Sequence, residues 1–207
     1  VTIIQAHQTF HLPFPFPFPR HVTDLSATQD REREWLRQVA RGDRAAYEHI
    51  YRAYYRRVFG YLYRMTSPEA AEELTSDVML EVWKRAGTFR GESLVSSWIF
   101  GIARFKALSA FRRPHVPSVD VEQAQRVSDP TDLQDATLVK RDLRAGIRKA
   151  LSGLSAEHQE VIELTFYQDL SYPEIARIID CPVGTVKTRM FHARKQLREA
   201  LNAEGVR

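Results

Sequence analysis

The stretch "CPVGTVKTRMFHARK", Cys181–Lys195, decides the fold of the chain's C-terminal part. It carries four basic residues and no acidic one, with a phenylalanine among them. Just upstream lies "SYPEIARIID", Ser171–Asp180. Ser171 followed three residues later by Glu174 is a capping box, so a short helix opens there and packs through Ile175, Ala176 and Ile179. "DCP" is a tight turn, and Pro182 or Val183 starts a longer helix. A short helix, a three-residue turn and a longer helix make the helix-turn-helix plan, in which the second helix enters the DNA major groove.

At 100° per residue, Val186, Met190, Ala193, Leu197 and Leu201 share one face and must pack inward. Lys187, Thr188, Phe191, His192 and Lys195 share the opposite face. A solvated face explains the lysines but not Phe191, for which a thymine methyl in the major groove is a natural target. Lys187 and Thr188 suit base edges, whereas Arg189, Arg194 and Lys195 suit phosphates. The helix start offers the backbone N–H groups of Gly184 and Thr185 to a phosphate, and Pro182 and Val183 just before them belong to the same candidate DNA-binding set. The competing reading is a basic solvated face with Phe191 packed on a neighbouring helix.

The remaining sequence bounds what surrounds this motif. With 207 residues, 43% hydrophobic and 27% charged, the chain suits one large or two small globular domains. A net charge of +4 leans weakly towards an anionic partner. Residues 1–28 contain "LPFPFPFPR", where alternating proline blocks a helix, and read as a disordered tail. Residues 29–113 are helical in pattern. Gly42 suits a helix C-cap and Asp43 an N-cap, Ser67–Pro68 open a third helix, and a fourth runs from about Leu94 to Arg113. Residues 114–136, rich in Pro, Asp and Ser, read as a flexible linker, and residues 137–207 form the helix-turn-helix domain. The expected fold is all-α: two small helical domains on a tether.

Two helices of the first domain differ in character. "EAAEELTSDVMLEVW", Glu69–Trp83, has five acidic residues and no basic one. Such a helix suits a basic protein surface rather than DNA. Glu72, Glu73, Asp77 and Glu81 supply the charge, Ser76 lies among them, and Met79, Leu80 and Trp83 leave extra apolar surface. "WIFGIARFKALSAFRR", Trp98–Arg113, instead interleaves Arg104, Lys106, Arg112 and Arg113 with aromatics such as Trp98 and Phe105. Cations among aromatics suit single-stranded DNA, where bases stack and phosphates pair. The aromatics are also compatible with a helix core.

Together these segments resemble the extracytoplasmic-function (ECF) sigma factors of bacteria. "LSGLSAEHQEVIELTFYQDLSYPEIARIIDCPVGTVKTRMFHARKQLREAL" is similar to the family's −35-binding domain. "AAEELTSDVMLEVWKRAGTFRGESLVSSWIFGIARFKALSAFRR" is similar to its core-polymerase and −10-binding domain. The resemblance spans roughly residues 30–202. It implies a sigma factor that docks on core RNA polymerase through the β′ and β subunits and directs initiation at promoter DNA. The acidic helix then meets a β′ coiled coil, and the loop with Phe89 and Arg90 is similar to the family loop that captures a flipped −10 base. Family members are commonly held by an anti-sigma factor. Departures fall at Phe105 and Ser109, where many members have Asn and Asp, and at Ser76–Asp77, where many have Gln-Glu.

Other classes fit less well. A stand-alone helix-turn-helix regulator binding duplex DNA as a dimer is the alternative, but the first 113 residues lack a βαβ receiver pattern. No His-carboxylate or Cys-His pairing suggests an enzyme, and no spacing suggests a metal or cofactor. The single cysteine, Cys181, allows no internal disulfide and reads as a small filler of the turn. No apolar run is long enough for membrane insertion, and a cytoplasmic location is expected.

Overall fold

In the computed structural model, Asp43 caps a helix by accepting hydrogen bonds from the N–H groups of Ala45 (2.8 Å) and Ala46 (3.1 Å). The preceding Gly42 has φ +87°, a left-handed turn that suits glycine and lets the chain reverse. Both lie in the four-residue turn between α1 (Val22–Val39) and α2 (Arg44–Met65). The structure describes residues 22–112, 146–147 and 149–203. Among them there is no β-strand.

Ser67 caps α3 (Pro68–Arg85), accepting from the Ala70 N–H, with Pro68 in the first turn. A 3₁₀ turn and a loop lead to α4 (Val95–Arg112). These helices bury Leu36, Ile50, Val58, Leu62, Val78 and Phe100 in a common core. Tyr54 is also fully buried and donates its hydroxyl to Glu32 at 2.7 Å, tying α2 to α1.

The second unit contains α5 (Ala156–Ile162), a π-helical turn at Glu163–Tyr167, α6 (Tyr172–Ile179) and α7 (Val183–Ala203). The capping box at α6 is formed. The Glu174 carboxylate accepts from both the N–H (2.8 Å) and the hydroxyl (2.6 Å) of Ser171. Asp180 adopts φ +52° at the C-cap, and the Cys181 N–H donates to the Ala176 carbonyl, which closes the helix-turn-helix. Val186, Met190, Ala193, Leu197 and Leu201 are buried, as their shared face requires.

Two expectations need correction. Helix α1 begins at Val22, inside the residues 1–28 expected as a disordered tail. Residues 22–30 contain neither Pro nor Gly, so a helix nucleated further on extends back through them. Met79 is only 1% exposed and is not the apolar surface expected of it. It shares the inward face of α3 with Thr75, Val78 and Val82, and its carbonyl accepts from the Tyr47 hydroxyl of α2 at 2.9 Å. The expected linker, 114–136, lies outside the described residues, as does Arg113.

The two units touch, which periodicity did not reveal. Helix α6 packs against α4, and the two units share a row of polar groups.

Candidate nucleic-acid interface

Because one side of α7 is committed to the core, its other side is free to read a ligand. Lys187, Thr188, Phe191, His192 and Lys195 are all exposed. Phe191 is 65% exposed, with its ring edge-on to His192 at 5.4 Å. It is not packed in a core, so water covers an apolar ring that a groove would shelter. The Thr188 hydroxyl donates to the Gly184 carbonyl at 3.0 Å. Gly184 itself is exposed, with nothing near its absent side chain.

Several residues of the basic stretch have other engagements. Arg189 pairs with Glu157 of α5 at 2.7 Å and so fastens α7 to its neighbour. The Thr185 N–H donates to the Pro182 carbonyl at 2.9 Å, which removes it from the N–H groups expected to face a phosphate. Pro182 is exposed and Val183 half-buried at the helix start, and Arg194 is exposed further along.

Helix α4 places its aromatics differently from one another. Phe105 is 67% exposed, Trp98 is half-buried, and Phe100 is in the core. Phe89 of the preceding loop meets Trp98 edge-on at 5.7 Å, and Arg90 beside it is exposed. Trp98, Ile102 and Phe105 line a groove of about 580 Å³ together with Lys106, and Arg177 and Ile178 of α6 close its other side. Lys106 pairs with Asp77 at 3.1 Å, joining α4 to the acidic helix. Arg112 is the last residue of α4.

On α3, Glu72, Glu73 and Ser76 are exposed, and Glu81 is half-buried. Leu80 is 48% exposed among them, an apolar group within an acidic surface. Trp83 is half-buried, edge-on to Tyr47 at 5.1 Å.

The groups that the sequence did not single out sit between the two units. Tyr61 and Arg104 both donate to one oxygen of Glu160, each at 2.9 Å. Arg64 donates to Glu163 at 2.8 Å and lies over the Tyr167 ring. Arg57 donates to the Gln168 side chain and carbonyl at 3.2 and 3.1 Å. Burial, and then the adjacent Glu160 charge, push the Tyr61 phenol well above its ordinary range, so it stays a donor.

Comparison with known proteins decides the family. Residues 50–115 match the model of Sigma-70 region 2, and residues 144–197 match that of Sigma-70, region 4. An ECF RNA polymerase sigma factor SigK of Mycobacterium ulcerans is 30% identical over 174 residues, covering 81% of this chain and 92% of the relative. The chain belongs to the ECF sigma factors of the sigma-70 family. The RNA polymerase sigma-H factor of Pseudomonas aeruginosa is also similar, 26% identical over 84% of this chain and 95% of its own. Among solved structures, CnrH in complex with the cytosolic domain of CnrY shares the fold, with TM-score 0.60 and 19% identity over 84% of this chain and 98% of that one. RpoE in complex with the anti-sigma factor NepR from Bartonella quintana gives TM-score 0.59 and 25% identity, over 75% and 96%.

This ECF sigma factor directs promoter-specific transcription initiation, with region 2 in the first helical unit and region 4 in the second. The region 2 match removes the alternative of a stand-alone helix-turn-helix regulator. No described helix is long and apolar enough to cross a membrane.

Proposed function

We propose that α3 docks this sigma factor on core RNA polymerase, that α4 and the Phe89–Ser93 loop hold the −10 strand, and that α7 reads the −35 duplex. The observation that carries the reading is the division of α7. One face is fully spent on the core, and the other offers Lys187, Thr188, Lys195 and the exposed ring of Phe191. Cations give affinity for phosphates, and the ring gives a contact for a thymine methyl. On α3, the exposed carboxylates of Glu72 and Glu73 around Leu80 suit a basic partner with an apolar centre. On α4, Phe105 offers a stacking platform for an unpaired base.

An anti-sigma factor is a further partner in this reading. CnrH and RpoE, which share the fold, were each solved with a second protein, and NepR is named as an anti-sigma factor. A protein that covered α3 would compete directly with polymerase for the same carboxylates.

Co-elution of the full chain with purified core RNA polymerase on size-exclusion chromatography tests the docking half. A stoichiometric complex is expected, and addition of excess chain bearing Glu73→Lys should not compete for it. Separate elution of the native chain would remove the polymerase from the reading.

A further inference from the structure

A second histidine stands beside the reading helix. His158 lies in the first turn of α5, where its N–H donates to the Ser155 cap. Its ring faces α7. Nδ1 is 3.1 Å from Oε1 of Gln196, and the ring is stacked with that of His192, the centroids 6.4 Å apart. His192 is in turn edge-on to Phe191 at 5.4 Å. His158 is half-buried, whereas His192 and Gln196 are exposed. Arg189, one turn before His192 on the same flank, pairs with Glu157 at 2.7 Å and holds α5 against α7.

This flank is the edge of the reading face and not its centre. His192 lies about 100° round the helix from Phe191, as Gln196 does from Lys195. A helix about 10–12 Å across fills a major groove about 12 Å wide, so its flanks come against the phosphate backbones. A side chain on the α5 flank therefore meets phosphate in preference to base edges. The chemistry of the His158 ring follows from Gln196. Oε1 only accepts, so the hydrogen of the neutral ring sits on Nδ1 and Nε2 carries a lone pair. A phosphate oxygen is an acceptor too, and the neutral ring has nothing to offer it. The protonated ring keeps Gln196 on Nδ1 and gains an Nε2–H donor. The charged groups around it are His192, the Arg189–Glu157 pair, and Lys195 and Glu199 on adjoining turns of α7, while Glu160 and Glu163 turn away to Arg104 and Arg64. Two adjacent imidazolium rings disfavour each other, and an anion beside both reverses that.

We propose that His158 is a phosphate-contacting residue of the −35 interface, donating from Nε2 beside His192, and that duplex binding takes up the proton this requires. Helix α5 thereby adds a backbone contact outside the helix-turn-helix. The proposal rests on the assignment of α7 to the −35 duplex. Histidine changes charge across the neutral range, so affinity should rise as pH falls. One group bound in its protonated form adds at most about tenfold in affinity per pH unit.

In the test, holoenzyme reconstituted from the full chain and core polymerase is titrated onto a fluorescent duplex carrying a promoter whose transcript requires the chain, at about pH 6 and about pH 8. Each variant is compared with native at the same pH, which cancels the other titrating groups. His158→Gln should bind within about twofold of native at about pH 8 and roughly three- to tenfold more weakly at about pH 6. His158→Arg, a permanent cation, should bind roughly threefold or more tighter than native at about pH 8 and match it at about pH 6. A purely structural ring would lower affinity equally at both. A ratio of His158→Gln to native that does not change with pH, or His158→Arg no tighter than native at the higher pH, would overturn the proposal. Lys187→Ala separates this from the reading beneath it. It should weaken binding at both pH values, and unchanged binding would overturn the assignment of α7 and the His158 contact with it.

Discussion

The Tyr61 hydroxyl lies 2.9 Å from Glu160 Oε1, although 99 residues separate the two in sequence. Tyr61 belongs to region 2 and is fully buried, and Glu160 belongs to region 4. Tyr61→Phe removes that donor and leaves Glu160 with Arg104. The expected loss is about 1.5–3 kcal/mol, the range for a hydrogen bond to a charged group. Chemical denaturation of the full chain measures it, and a loss near zero would mean that water replaces the phenol.

The acidic helix yields a separate prediction. Asp77 is tied to Lys106, so reversing its charge would disturb α4 as well as the surface. Glu73 and Leu80 are exposed. Glu73→Lys with Leu80→Ala is expected to abolish co-elution with core polymerase while the melting temperature stays within a few degrees of native. Retained binding would exclude α3 from the interface.

Much of this surface was legible before the structure, because it depends on local rules. The Asp43 and Ser67 caps, the Ser171–Glu174 box and the inward face of α7 follow from spacing and side-chain chemistry. Phe191 stood out because an apolar ring on a cationic face contradicts binary patterning. Met79 was misjudged because a crowded apolar helix has more than one plausible inward face. The contact with α2 through Tyr47 selected one of them. Glu160 and Glu163 were missed because their partners lie in the other unit. Two carboxylates three apart on a helix read as solvated. The available hint was their setting within "QEVIELTFY", where every flanking position except Gln159 and Thr165 is apolar or aromatic.

Phe191 and Lys195 should differ in kind when mutated. Phe191→Ala is expected to cost about 1–3 kcal/mol at one base pair and relax preference there. Lys195→Ala should weaken all sequences alike and lower the salt slope by about one unit. Titrations of the full chain with core polymerase, on single-base variants of a −35 element at two salt concentrations, check both. Uniform weakening by Phe191→Ala would show that its ring reads no base.

Glu32 provides a pH signature of the α1–α2 contact. Burial is the largest influence on its carboxyl and raises it above 4.5, against the Tyr54 hydrogen bond and the Arg57 and Arg31 charges, which lower it. A raised native pKa means that the folded chain binds the proton more tightly. Its contribution to stability is therefore full below the unfolded value and is lost as pH rises through the native one. Glu32→Gln lacks that loss, so its melting temperature relative to native should rise between acidic and neutral pH. A difference independent of pH would show that Glu32 is not desolvated in the native chain.

Run-off transcription from genomic fragments of the source organism, with core polymerase alone and with the chain added, tests the central claim most directly. The account predicts discrete transcripts that require the chain, share upstream sequence at −10 and −35, and vanish with Lys187→Ala/Phe191→Ala. Transcripts that are identical with and without the chain would contradict it.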